Sequence, residues 1–317
     1  MTQTVLAADF GGTHLRAGLV TADGAVISRL DHATPENATP AEIVRDVTNL
    51  LVRAARAATP PPVAACIATA GLINAEAGMV IFAPNIPGFR NLVLTTPLAA
   101  ELGIPAFIEN DASAAALGEF RFGAGRGCRD LLHATLGTGI GGGLVIEGRL
   151  YRGSRGLAGE IGHMIIDPSG ARCRCGSRGC LEAMVSGVAF ANRARILLDA
   201  GKSEVLREIV GYGEPTAAAL HRAAQVGDTL CEAEIRHGGH LLGLALGGLV
   251  NVLDPDAVTL SGGLLAMGDM LLDPMRQAMH SLAYGAAAGT PVKLSTLGDD
   301  GGLLGAAAVA FERLEGR

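Results

Sequence analysis

The sequence predicts an α/β protein with two domains, and three observations carry this prediction. An apolar run of strand character at residues 63–68 follows a segment of helical apolar spacing at residues 40–56. A further strand, at residues 105–109, runs directly into a helix that starts close to Asp111. Strands that alternate with helices in this way predict layers of helix against sheet. With 317 residues, the chain is also long enough for two domains with cores of their own.

The composition argues against several classes of protein. The chain has a net charge of −6, a pI of about 5.8, 3% aromatic residues and no Trp, whereas nucleic-acid binding usually needs a basic stripe and stacking aromatics. The N-terminus lacks the basic region and the cleavage pattern of a signal peptide. The most apolar stretch, residues 241–250, is shorter than the roughly 20 residues that span a bilayer. We therefore expect a soluble, cytoplasmic protein that binds neither nucleic acid nor membrane.

A glycine pair connects the first two predicted strands, at residues 4–8 and 15–20. The connection reads DFGGT at residues 9–13. Glycines expose backbone N–H groups, the Thr adds a hydroxyl, and an acid at a strand end can hold hydrated Mg²⁺, so this turn suits phosphate. An ordinary hairpin turn is the alternative interpretation. The residues concerned are Asp9, Gly11, Gly12 and Thr13.

Polar side chains also stand where two other segments end. Asn110 and Asp111 lie at the carboxyl end of a predicted strand and at the start of a helix. Open α/β sheets place their ligand crevices at such points, although Asp111 could equally be a helix N-cap. Asn85 lies in a loop with two prolines at residues 83–89, where it could bind hydroxyls or cap a turn.

A second glycine-rich turn, GTGIGGG at residues 137–143, follows a predicted strand at residues 130–136. Its glycines match the spacing G-x-G-x-x-G, and Glu160 lies roughly where a ribose-binding acid would be expected. That motif must open a helix, whereas a strand-like run follows here, so we reject the dinucleotide interpretation. We predict instead a second phosphate-binding turn. A third glycine turn, at residues 261–263, ends the strand predicted at residues 256–260.

Three cysteines and a histidine fall within residues 163–180. Thiolates and an imidazole at this spacing suit tetrahedral zinc, and four protein ligands would close the shell, as in a structural site. A disulfide framework is disfavoured because three cysteines cannot pair among themselves and no signal peptide is predicted. The residues concerned are His163, Cys173, Cys175 and Cys180.

Two glutamates flank this cluster. Glu160 lies three residues before His163, and Glu182 lies two residues after Cys180. A metal that fixes the histidine and the cysteine would also fix these neighbouring carboxylates. We therefore predict that both glutamates bind substrate, with two solvated surface acids as the alternative.

The remainder of the chain turns mainly helical. Helices are predicted at residues 188–198, 215–225, 228–253, 270–282 and 300–314, and a last strand at residues 292–295. Each half of the chain begins with strands around an acidic or glycine-rich turn and continues through helix–strand units. The two halves of the sequence thus share a coarse similarity in the order of their predicted elements.

Taken together, these segments resemble the ROK family of sugar kinases, within the actin-like ATPase superfamily, over nearly the whole chain. The resemblance implies an α/β, two-lobed actin-like ATPase (ribonuclease H-like) fold with a cleft between the lobes. It implies a small domain at residues 1–111, joined by a C-terminal helix at about 300–317, and a large domain with the zinc knuckle at residues 112–299. The matching segments are residues 9–13, 110–112, 136–143, 159–163, 173–182 and 261–263.

The resemblance also implies ATP-dependent phosphorylation of a hexose, with glucose and its 6-hydroxyl as first choice and Asp111 as catalytic base. The implied sugar-binding residues are Asn85, Asn110, Asp111, Glu160, His163 and Glu182. The implied phosphate and nucleotide contacts are Asp9, Gly11, Gly12, Thr13, Thr138, Gly139, Gly262 and Gly263. The implied ligands of a structural zinc are His163, Cys173, Cys175 and Cys180. ATP and Mg²⁺ are the other cofactors expected, and we expect a homodimer or homotetramer.

Two positions depart from the family pattern. Phe89 stands where a Trp is usual, and residues 298–301, Gly-Asp-Asp-Gly, replace a neutral Asn-Ala-Gly. Kinases of fructose, mannose, allose or N-acetylmannosamine, and polyphosphate as donor, remain alternatives. A non-catalytic sugar-sensing regulator is the alternative of another class. Repressors of the family carry an added DNA-binding segment, for which a first strand at about residue 4 leaves no room.

Overall fold

The computed structural model describes residues 3–11, 14–34, 39–56, 58, 60–83 and 90–316, and it contains both strands and helices, as predicted. The strands are β1 (Thr4–Phe10), β2 (His14–Thr21), β3 (Val26–Ala33), β4 (Ala65–Thr69), β5 (Leu72–Asn74), β6 (Met79–Phe82), β7 (Arg90–Val93), β8 (Ala106–Asn110), β9 (Leu131–Leu136), β10 (Ile140–Ile146), β11 (Arg149–Leu150), β12 (Ala257–Ser261) and β13 (Val292–Leu294). The α-helices are α1 (Pro40–Arg56), α2 (Thr95–Leu102), α3 (Asp111–Phe122), α4 (Leu181–Val185), α5 (Gly187–Asp199), α6 (Glu204–Val210), α7 (Ala217–Gln225), α8 (Thr229–Leu253), α9 (Asp269–Leu282) and α10 (Gly301–Leu314). Short 3₁₀ helices cover Ile161–His163, Gly263–Met267, Gly285–Gly289 and Gly298–Asp300.

The first sheet has the strand order β3-β2-β1-β4-β8. Strands β3, β2 and β1 are antiparallel, whereas β4 and β8 run parallel to β1. Every residue of β4 is buried, as a strand covered on both faces must be. Helix α1 buries Ile43, Val47, Leu50 and Leu51 in the core of this sheet, and these are the residues whose helical spacing predicted it.

The second sheet has the order β11-β10-β9-β12-β13. If the strands of each five-stranded sheet are numbered in chain order, both sheets have the order 3-2-1-4-5. This shared order corresponds to the similarity between the two halves of the sequence. Helix α8 packs along α9 beside this sheet. A separate three-stranded sheet, β5-β6-β7, is antiparallel throughout.

The chain divides into two compact units. Unit 1 comprises residues 1–133, 143–159 and 295–317, and unit 2 comprises residues 134–142 and 160–294. The division predicted from the sequence, between residues 111 and 112, remains a prediction.

Several elements differ from the sequence prediction. Strand β10 begins at Ile140, so the glycines at residues 141–143 belong to the strand and not to a turn. The small sheet of β5 to β7 and the helices α2, α4 and α6 were not predicted. No helix in the described ranges combines the length and the apolar character that crossing a membrane requires.

Candidate functional site

Asn110, the last residue of β8, caps helix α3. Its Oδ1 accepts hydrogen bonds from the N–H groups of Ala112 and Ser113 at 3.0 and 3.1 Å. Its Nδ2 donates to the carbonyl of Gly71 at 3.2 Å. Asn110, and not Asp111, is thus the N-cap residue.

Asp111 is the first residue of α3, and its carboxylate does not serve as the cap of the helix. The side chain is open to solvent, although its Oδ1 accepts the N–H of Ala112 at 2.9 Å. Protein atoms around the carboxylate nevertheless remove part of its hydration. This desolvation raises the pKa of Asp111, and the hydrogen bonds from backbone N–H groups offset only part of the effect. A carboxylate with a raised pKa at a strand–helix junction is suited to accept a proton.

A second carboxylate, Asp9, stands near the end of β1 in the same sheet. Burial, and then repulsion by Asp111, raise the pKa of Asp9 to about 6, against the attraction of Arg16. Helix α10 approaches this carboxylate so closely that a Cβ at Gly302 would lie 2.4 Å from Cγ of Asp9. Asp9 and Asp111 therefore carry like charges that repel each other.

A ladder of alternating charge leads away from Asp9 across the first sheet. The strand register sets Asp9 opposite Arg16, and Arg16 opposite Asp31. Arg16 lies 3.8 Å from Asp9 and 3.3 Å from Asp31, and Arg29 lies 2.9 Å from Asp31. Arg29 also lies 3.0 Å from Asp300, just before α10. Asp300 lies in the segment that departs from the family pattern, and it is thus paired with Arg29 of the same unit.

Sequence reasoning missed Arg16 and Arg29. The signal was present, because the predicted hairpin fixes which residues face each other across its strands, and these residues alternate in charge.

The glycine turn between β9 and β10 lies against the start of α5. The carbonyl of Gly137 accepts the N–H of Gly187 at 2.8 Å, and the carbonyl of Thr138 accepts the N–H of Val188 at 3.4 Å. Within the turn, the N–H of Gly137 bonds the carbonyl of Gly139 at 3.0 Å. Two of the carbonyls of the turn are thereby held by the helix, so the turn is anchored from one side.

Glu182, in the first turn of α4, is bonded to this same turn. Its Oε2 accepts the N–H of Ile140 at 3.0 Å. A Cβ at Gly139 would lie only 2.3 Å from that oxygen, so any side chain at this position would displace the Glu182 carboxylate from Ile140. The contact links the segment that follows the cysteine cluster to the predicted phosphate turn.

The four predicted zinc ligands come together in unit 2. Their donor atoms all lie within 4.8 Å of one another. Cys175 Sγ lies 3.6 Å from Cys180 Sγ, and Cys173 Sγ lies 3.7 Å from His163 Nδ1. A tetrahedral zinc with bonds of about 2.0–2.3 Å sets its ligand atoms about 3.5–3.8 Å apart. The donor set fits zinc in kind, and these two pairs of atoms already have that spacing.

The thiols of this cluster differ in acidity. The backbone N–H of Ser177 and then the thiol of Cys173 lower the pKa of Cys175 to about 6, so it ionises readily at neutral pH. Burial, by contrast, raises the pKa of Cys180 to about 12. Binding of a metal cation would deprotonate both.

His163 faces two ways. Its Nδ1 is on the side of the thiols, whereas its Nε2 lies 3.9 Å from Oε2 of Glu160. The side chains of His163 and Glu160 are 41% and 46% exposed, so both are accessible to a ligand. A metal bound through Nδ1 would therefore leave Nε2 available beside the carboxylate.

The remaining predicted site residues are divided between described and undescribed segments. Gly11 donates its N–H to the carbonyl of His14 at 2.9 Å, and its own carbonyl accepts the Thr34 hydroxyl at 2.8 Å. Gly262, with φ of 101°, ends β12, and Gly263 opens a 3₁₀ helix. The predicted contacts that lie outside the described residues are Gly12, Thr13 and Asn85, together with the departure at Phe89.

Comparison with known proteins gives concordant findings. Residues 5–313 match the profile described as "ROK family". Glucokinases of Thermotoga maritima and Streptomyces coelicolor are 35% and 38% identical, with 98% and 96% of both chains covered in the respective comparisons. An N-acetylmannosamine kinase of Shigella flexneri is 33% identical, over 97% of this chain and 98% of that protein.

Solved structures are similar over the same length. The ROK hexokinase of Thermus thermophilus gives a TM-score of 0.84 at 31% identity, over 99% of this chain and 100% of that one. A ROK family glucokinase of Streptomyces griseus, in complex with glucose and AMPPNP, gives 0.81 at 34% identity, over 98% and 99%. A ROK family transcriptional regulator, described as a homologue of an Escherichia coli regulator, gives 0.88 at 25% identity, over 100% and 80%. These similarities confirm the predicted α/β, actin-like ATPase fold.

Proposed function

The chain belongs to the ROK family, and we propose that it transfers a phosphoryl group from ATP to a hexose, with glucose as preferred acceptor and its 6-hydroxyl as the site of transfer. Support comes from the glucokinases that match almost the full length of the chain. The observation that carries the proposal is the pair of carboxylates, Asp9 near the end of β1 and Asp111 at the start of α3, whose pKa values are both raised.

Asp111 would act as the general base. Its carboxylate orients the sugar hydroxyl and accepts its proton as the phosphoryl group arrives. The pKa above the ordinary Asp value supports this role, because a proton acceptor is most effective when its pKa approaches the working pH. Fixed orientation by the capped start of α3 would keep the carboxylate in place.

The sugar hydroxyls would be held by acceptors and donors from several segments. Glu160 and Glu182 offer carboxylate oxygens, and Nε2 of His163 is available next to Glu160. Asn110 and Asn85 would each contribute a side-chain amide. A site built on paired hydrogen bonds discriminates against sugars that leave any of these groups unpaired.

The phosphates would be bound by the glycine turns. Backbone N–H groups of these turns would offset phosphate charge, and Asp9 would hold the hydration shell of a metal ion. Bound Mg²⁺ would neutralise charge on the transferred group. The residues in these roles are Gly11, Gly12, Thr13, Thr138 and Gly139, with Gly262 and Gly263 on the adenosine side.

A zinc ion held by the three cysteines and His163 would be structural, since four protein ligands leave no open position. It would fix His163 and Cys180, and with them the neighbouring Glu160 and Glu182. We also propose that the protein assembles as a homodimer or homotetramer, which its mass in solution tests.

An assay of phosphoryl transfer over a panel of sugars and donors tests the function. We expect the highest kcat/KM with glucose and ATP. A preference for N-acetylmannosamine, as the name of the Shigella relative suggests, would show that the substrate assignment is wrong. Tight sugar binding without transfer from ATP or polyphosphate would instead indicate a regulator, as in the third structural comparison.

A further inference from the structure

A buried cluster of three charged side chains lies behind the β8–α3 junction, within unit 1. Arg152 donates through Nε to Oε2 of Glu109 at 2.6 Å and through Nη2 to Oε2 of Glu312 at 2.8 Å. The side chains are 5% exposed for Glu109, 4% for Glu312 and 20% for Arg152. Two acids with one cation leave a net buried charge of −1.

The remaining carboxylate oxygens bond to the backbone. Oε1 of Glu109 accepts the N–H of Asn110 at 3.1 Å, and Oε1 of Glu312 accepts the N–H of Leu150 at 3.0 Å. One guanidinium thus joins three elements: the end of β8, the segment after β11, and helix α10. Every charged group in the cluster has a geometrically defined partner.

Stability alone does not explain why these three charged side chains are buried together. Ion pairs lose hydration on burial, and apolar side chains of similar volume often give equal or greater stability. Burial by itself would lower the pKa of Arg152, yet the two carboxylates raise it above its usual range, so the cation stays charged. What apolar side chains cannot supply is directional hydrogen bonding to one peptide group.

That peptide group belongs to the residue beside the proposed base. Glu109, Asn110 and Asp111 are consecutive, and the Glu109 carboxylate binds the N–H of Asn110. Asn110 in turn caps α3 and bonds to Gly71. We propose that Arg152 is a positioning residue, which fixes the β8–α3 junction through Glu109 and so sets the position of the Asp111 carboxylate. This inference rests on the proposed kinase function.

A neutral triple variant separates positioning from stability. In Glu109→Gln/Arg152→Met/Glu312→Gln, no charge remains buried, so we expect the urea midpoint to stay near that of the wild type. We expect kcat to fall at least ~10-fold, because a displacement of about 1 Å in a catalytic group costs up to about 10²-fold. The glucose Kd should change less than about threefold. Arg149→Met, an exposed neighbour on β11, is the matched control.

The triple substitution is also introduced into the Asp111→Asn variant, to test whether Arg152 acts through Asp111. If Arg152 acts through Asp111, the triple substitution should cause little further loss there. If the triple variant does not fold, Arg152→Lys tests the same point, since it keeps the charge but loses the planar fork. Wild-type kcat in a folded triple or Arg152→Lys variant, or an additive loss, would overturn the inference while the proposed function stands. A wild type that transfers no phosphoryl group would overturn the proposed function itself, and this inference with it.

Discussion

Ile140 donates its backbone N–H to Oε2 of Glu182 at 3.0 Å, and this bond joins the glycine turn after β9 to the helix that follows the cysteine cluster. Glu182 is thus positioned from two sides. Cys180, two residues earlier, belongs to the predicted zinc shell, and Ile140 belongs to the segment predicted to bind phosphate. Under the proposed function, in which Glu182 binds the sugar, a disturbance at either side should weaken sugar binding.

Gly139→Ala tests this connection. The added Cβ would lie 2.3 Å from Oε2 of Glu182, so the carboxylate must move and its bond to Ile140 must lengthen. We expect the glucose Kd and the KM for ATP each to rise at least ~10-fold, measured by titration and steady-state kinetics. Gly137→Ala is the matched control, because a Cβ there meets no atom within 4 Å. Equal effects of the two substitutions would disprove the connection.

Cys175→Ser tests the metal. We expect one zinc per chain in the wild type, measured by metal analysis, and none in the variant, because the shell needs all four donors. The glucose Kd should rise at least ~10-fold with a smaller change for ATP, and the unfolding temperature should fall.

Cys128→Ser is the control for that variant, since Cys128 lies outside the cluster and should leave the zinc content unchanged. A wild type that contains no zinc after gentle purification yet binds glucose tightly would contradict the role of the metal.

Asp9→Asn tests the electrostatics of the site through the pH dependence of stability. Because the folded pKa of Asp9 is raised to about 6 from 3.8, ionisation costs the folded protein more than the unfolded chain. This contribution favours the fold below pH 3.8 and is lost as pH rises through about 6. We therefore expect Asp9→Asn to be more stable than the wild type at pH 7.5, on the order of 1–3 kcal/mol in free energy of unfolding. The difference should vanish towards pH 4.

Asp31→Asn should be less stable than the wild type at neutral pH, the opposite of the effect expected for Asp9→Asn. A hydrogen bond from Arg29 lowers the pKa of Asp31, so this carboxylate stabilises the fold at neutral pH and loses that effect as pH falls. Urea unfolding between pH 2.5 and 8, without Mg²⁺ or nucleotide, measures both variants, because the effect of Asp31 is lost only below its ordinary pKa of 3.8. A destabilised Asp9→Asn at pH 7.5 would show that the Asp9 pKa is not raised.

Prediction from the sequence succeeded best where the residues that define an element or a site lie close together along the chain. Helix α1 was predicted at residues 40–56 and spans Pro40–Arg56, because its apolar stripe is long and regular. The cluster of three cysteines and a histidine was predicted for the same reason, since its four donors fall within one short segment, and their donor atoms come together as expected. The small sheet was missed because β5 and β6 are short and leave Leu72 and Phe82 partly exposed, which blurs the alternation of a strand.

Contacts between distant segments could not be predicted. Arg152 meets Glu109 across 43 positions of sequence and Glu312 across 160. The packing of α10 against the first sheet brings Glu312 to this cluster. Likewise, the close approach of Gly139 to Glu182 could not be predicted, because Glu182 reaches the turn from a later helix.

The most direct test of the proposed function compares Asp111→Asn with the wild type in the transfer of phosphate from ATP to glucose. We expect kcat to fall at least ~10²-fold, because the amide cannot accept the proton of the sugar hydroxyl. The glucose Kd should change only a few-fold, and Asp199→Asn, at an exposed acid at the end of α5, should leave both values unchanged. Near-normal kcat in Asp111→Asn would contradict the assignment of Asp111 as the base.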